Sequence, residues 1–119
     1  MKTIKPLLLI FFCITVHSCS AQDCSNNPGK FNSYEQAKRM VTSSHFVFTD
    51  SINTGKSSFI KAAHFYSCDH HRGFFIIEMG KQKYIHQDMP IDIWRDFKAA
   101  ESFGKYYNQN IKGNYLLHL

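Results

Sequence analysis

The sequence predicts an α+β fold: a small antiparallel sheet of three to four strands, two C-terminal helices on one face, and one N-terminal helix. Three observations carry this. Ser33-Tyr34-Glu35-Gln36 has capping-box spacing ahead of a helically spaced segment. Three short β-prone stretches follow between positions 59 and 86, joined by turns that contain Gly73 and Gly80. After Pro90, the residues Ile93, Trp94, Phe97 and Ala100 fall on one stripe of a helix. With 119 residues there is room for one small domain, and there is no internal repeat or low-complexity tract.

The N-terminus reads as a leader, residues 1–21. Lys2 and Lys5 supply a positive start, and Leu7 to Val16 is an apolar run too short to span a bilayer. Ser18, Cys19, Ser20 and Ala21 are small. The chain is therefore expected to be exported by a bacterium, to the periplasm or medium or to a membrane through a lipid. Cleavage after Ala21 would free Gln22. Alternatively, Val16-His17-Ser18-Cys19 resembles a lipobox and makes Cys19 a lipidation candidate. Residues 22–31 read as a flexible tether with Asn26-Asn27-Pro28-Gly29 as its turn, and 32–119 as the single domain. With Lys2 and Lys5 gone, 12 of the 14 basic side chains face 9 acidic ones, a net of +3. That excess suits acidic partners and does not demand nucleic acid.

Cys24 and Cys68 remain after the leader leaves. In an oxidising compartment they can pair, tying the tether to the sheet, or stay as two thiols; spacing decides neither.

Tyr34, Ala37, Met40 and Val41 recur at helical intervals, giving a helix over 33–44. His45 to Phe48 is short and aromatic, an edge strand. Asp50 to Ser57 is polar and reads as a loop. Phe59 to Tyr66 is a strand with Phe59, Ala63 and Phe65 on one side and Ile60, Ala62 and Tyr66 on the other. Cys68 to Gly73 connects it to the next, with Gly73 the expected positive-φ residue. Phe74 to Met79 is a buried strand, Gly80-Lys81-Gln82 a turn, and Lys83 to His86 the last strand. Pro90 suits a helix start. Ser102 can cap a further helix carrying Phe103, Tyr106, Tyr107 and Ile111, with Gly104 allowing close approach and Gly113 ending it.

The last third holds Tyr84-Ile85-His86, Met89-Pro90, Ala100-Glu101-Ser102-Phe103-Gly104, Tyr107-Asn108 and Ile111 to Tyr115, after Ser57-Ser58. In this order and spacing they resemble the KTSC family, a module similar to the C-terminus of some lysyl-tRNA synthetases, over residues 57–115. His86 stands where the family pattern has a second tyrosine. The resemblance implies strands followed by helices. It implies no established activity. Nucleic-acid binding has been suggested for the family, but export separates this chain from tRNA.

Candidate chemistry is sparse. Thr54-Gly55-Lys56-Ser57 looks like the end of a phosphate loop, but Asp50 occupies the position of the required glycine. Cys68, Asp69, His70 and His71 could ligate a metal or support a hydrolase, though adjacent histidines on a strand end point apart. There is no Gly-x-Ser-x-Gly or His-Glu-x-x-His. No catalytic residue and no cofactor is expected. The 11 Phe, 6 Tyr and 1 Trp mostly serve a core. Tyr84, His86, Ser102, Tyr107 and Asn108 are the expected ligand-binding surface, because they recur in the family pattern without an obvious core role. The competing account makes Ser102 and Asn108 caps. The function expected is a non-enzymatic binding or interaction module of the cell envelope, its partner an unidentified envelope ligand or protein.

Overall fold

A computed structural model of the chain describes residues 24, 29–55 and 59–119. The expected leader, Cys19, Gln22 and the end of the phosphate-loop-like stretch lie outside the described residues. The elements run α1 (Tyr34–Ser43), β1 (Phe48–Asn53), β2 (Ile60–Ser67), β3 (Arg72–Met79), β4 (Gln82–Pro90), α2 (Ile91–Ala99) and α3 (Phe103–Tyr106), which continues into a π-helical turn, Tyr107–Ile111. All strand pairs are antiparallel and the sheet order is β1-β2-β3-β4, a four-stranded meander.

Alternation along the central strands divides the core into two layers. On one face Phe65, Phe75, Ile77 and Met89 meet Trp94, Phe97, Tyr107 and Ile111 from the C-terminal helices. On the other, Phe74, Ile76 and Ile85 meet Ala37 and Val41 of α1, with Phe31 and Leu117. β3 is buried on both sides, which explains its unbroken apolar run. The N-terminal helix thus lies opposite the C-terminal pair.

Local chemistry sets the boundaries. The Ser33 hydroxyl accepts the Gln36 N–H, and the Gln36 amide returns to the Asn32 N–H, one residue before the cap. Pro90 is the N-cap of α2 in extended backbone, and the Ser102 hydroxyl accepts the Lys105 N–H to cap α3. Among the described residues no helix is long and apolar enough to cross a membrane.

Several expectations need correction. The polar stretch from Asp50 is strand as far as Asn53, and the edge strand begins at Phe48. Its polar residues alternate: Phe48, Asp50 and Ile52 turn towards α2, while Thr49, Ser51 and Asn53 face water. A register shift between Ile60 and Ala62 moves Ile60 to the side of Ala63 and Phe65, leaving Phe59 exposed. The β2–β3 connection takes its positive φ at His70, not Gly73. Gly73 is needed for a different reason: a Cβ there would lie 2.1 Å from the Tyr66 carbonyl oxygen. At Gly104 a Cβ would make ordinary contact with Ile60 at 3.8 Å, so no close approach requires that glycine. The last strand is longer than Lys83 to His86 because a second register shift, between Gly73 and Phe75, carries it to Pro90, with Asp88 at φ 59°.

Candidate binding groove

The connection Cys68 to Arg72 is closed on itself. The Asp69 carboxylate accepts the His71 and Arg72 N–H groups at 2.8 and 3.0 Å, and these bonds hold its pKa below the ordinary value. The Ser67 hydroxyl donates to the Arg72 carbonyl and accepts the His70 N–H. Cys68 is bridged to Cys24, their Cα atoms 5.6 Å apart. The thiolate that a metal or nucleophile would need is consumed, and no group of three or more His, Cys, Asp or Glu side chains converges among the described residues.

The five family-pattern residues separate into different roles. Ser102 is a cap, and Asn108 is exposed on the π-helical turn. His86 and Tyr107 come together in the core. His86 is 7% exposed, with Nε2 at 2.8 Å from the Tyr107 hydroxyl and Nδ1 at 3.3 Å from the Tyr115 carbonyl. A carbonyl only accepts, so Nδ1 carries the proton and Nε2 accepts from Tyr107. Burial lowers the His86 pKa to about 4, although the Tyr115 bond acts against it. Burial, with Tyr84 adding repulsion, pushes Tyr107 up to about 12. Imidazole and phenol therefore stay neutral near pH 7, with their polar atoms spent on each other and on the backbone. The pair braces the C-terminal segment against β4.

That brace has a pH signature. In the unfolded chain His86 binds its proton near pH 6.5, in the fold only near 4. Its contribution is fully present above pH 6.5 and is lost as pH falls towards 4, about 3 kcal/mol in all. Urea unfolding at stepped pH should show this loss. His86→Gln should flatten the slope over that window, and an unchanged slope would refute the buried neutral imidazole.

Tyr84 remains outside, 44% exposed. It lines a groove of about 350 Å³ between α1, β4 and the C-terminal segment, shared with Tyr34, Glu35, Lys38, Lys83 and Leu116. Tyr34 and Leu116 are 47% and 60% exposed, so three large exposed apolar side chains converge on one depression. Sequence reasoning missed Tyr34, Lys38 and Leu116. Tyr34 shares the helical spacing of Ala37, Met40 and Val41, and that spacing gives no sign that its ring stays exposed.

A four-stranded antiparallel meander with helices on both faces defines a small α+β domain. Within it, the family model of the KTSC domain matches residues 77–115, from β3 to the C-terminal segment. The match is shorter than the resemblance over 57–115. No curated protein and no solved structure matches the chain.

Proposed function

We propose that this chain is a non-enzymatic binding module of the bacterial cell envelope that seats its ligand in the groove beside Tyr84. The carrying observation is the convergence of Tyr34, Tyr84 and Leu116 on one concave site. Exposed apolar side chains scattered singly need no explanation, but a cluster in a groove rimmed by charges marks a binding surface. The apolar leader and the Cys24–Cys68 bridge support an oxidising destination.

Anilinonaphthalene sulfonate, a polycyclic aromatic anion with one negative charge, suits a groove of tyrosines and lysines. The purified protein should bind it saturably. Tyr84→Ala with Leu116→Ala should weaken that binding roughly tenfold, a loss of about 1.4 kcal/mol, while Val47→Ala, at an exposed position outside the groove lining, should leave it unchanged. Equal binding by all three proteins would refute the groove. Fractionation of expressing cells tests the destination: a polypeptide with its leader uncut in the cytoplasm would refute export.

A further inference from the structure

From the free edge of β4 we infer that the groove takes an extended acidic peptide, added as a fifth strand beside Lys83–Ile85; this rests on the groove reading above. The sheet order leaves β4 at an edge. Its outward direction is fixed by bonds: the Lys83 carbonyl accepts Lys38 Nζ at 3.3 Å, and the Gln87 N–H donates to the Tyr115 carbonyl at 3.2 Å. In an antiparallel pair, alternate residues aim their backbone groups the same way, so those of Ile85 face outward too. No described residue bonds them. The C-terminal segment covers the edge at Gln87, where His118 donates to the Gln87 side chain. It makes no bond to the Lys83 or Ile85 backbone. Lys83 is exposed, whereas Ile85 is only 2% exposed, so the side chains over it must move aside before a strand can pair there.

Lys38 occupies this gap as a removable plug. A charged side chain on an edge is a common device against uncontrolled pairing. Lys38 also contacts Glu35 at 3.1 Å, with the glutamate largely exposed, so the bonds it gives up to an incoming strand are weak ones. An added strand would displace Lys38 from the Lys83 carbonyl and leave the ammonium free for a carboxylate. Charge complementarity fixes the partner further. Lys38 and Lys83 line the groove, and Lys38, Lys83, Arg39 and Lys81 line the adjoining polar depression. Glu35 is the sole acid among the described residues lining either. Alternate residues of a strand face opposite sides. One set would therefore meet the lysines beside α1, and the other would meet Tyr84. Main-chain bonds would supply affinity, and these two sides would supply selectivity.

The test uses a labelled, end-capped hexapeptide of alternating glutamate and valine, followed by fluorescence anisotropy with the purified protein. Binding should saturate, weaken several-fold between about 50 and about 500 mM salt, and vanish when lysine replaces glutamate. N-methylation of every second amide, made in both parities, should cost roughly tenfold in one parity, the value of one lost bond near 1.4 kcal/mol. Lys83→Pro should do the same, since a proline nitrogen there forfeits only an outward N–H. If both N-methylated peptides bind as well as the parent while anilinonaphthalene sulfonate still saturates, strand addition is wrong and the groove stands. If neither dye nor peptide binds, both readings fall. Vesicles of phosphatidylglycerol that bind where the peptide does not would replace the peptide with a lipid surface and overturn the inference.

Discussion

Replacing Cys24 and Cys68 together by alanine is expected to cost the domain about 4 kcal/mol, read as the shift in urea unfolding free energy at pH 7. The bridge spans a sequence separation of 44 residues. That loop contains α1, β1 and β2, so cross-linking it removes much of the freedom of the unfolded chain, and the entropy removed grows with the logarithm of loop length. A small domain holds only about 5–15 kcal/mol in total, so this loss is a large share of it. The bridge also acts locally. It ties Cys24, upstream of Phe31, to the end of β2, and the Phe31 ring packs edge-on against Phe74 in the layer under α1. Dithiothreitol should reproduce the double substitution and add nothing to it. A loss below about 1 kcal/mol would show that the unfolded chain is already compact around these residues, so that the loop-entropy argument fails.

How far the sequence disclosed the fold depended on whether a signal was local. The α1 cap was readable because Ser33 and Gln36 sit three apart, and the capping bond needs that spacing. The apolar stripe of α2 was readable because Trp94 and Phe97 repeat at helical spacing, and both are fully buried. Strand β1 was not readable, because Asp50 and Ser51 look like loop. Asp50 is tolerated there only because Trp94 and Lys98, far along the chain, take its carboxylate. The register shifts at Ile60 and Gly73 reverse which side chains face the core, and no local spacing announces them. The candidate site divided in the same way. Tyr84 was named from the family pattern and lies in the groove. His86 was named from the same pattern, and its burial follows from pairing with Tyr107, a contact across 21 positions. Tyr34 and Leu116 come from the two ends of the domain and meet only after folding.

Trp94→Ala should destabilise the domain by roughly 3–5 kcal/mol, the range for deleting a buried aromatic ring. Trp94 is fully buried, lies stacked on Phe65 at 5.6 Å between centroids, and meets Phe75 edge-on at 5.8 Å. Its removal opens a cavity between α2 and the sheet that three flanking rings cannot fill without leaving their own contacts. A second cost is electrostatic. The indole N–H donates to the Asp50 carboxylate at 2.9 Å, the Lys98 ammonium reaches the same oxygen at 2.6 Å, and that ammonium sits 5.5 Å from the indole centroid. Burial alone would raise the Asp50 pKa. The Lys98 and Trp94 bonds outweigh it and hold the carboxyl below its ordinary value. A depressed folded pKa means stability that is present above about pH 3.9, the unfolded value, and lost as pH falls through the folded one. Trp94→Phe separates the two costs. It keeps most of the ring but removes the donor, so it should lose about 1.5–3 kcal/mol at pH 7. The gap to wild type should close at the acid end, where Asp50 is protonated. Trp94→Ala should keep most of its deficit at every pH. If Trp94→Phe matched wild type at pH 7, the indole bond would contribute nothing, and Lys98 alone would account for an aspartate inside β1.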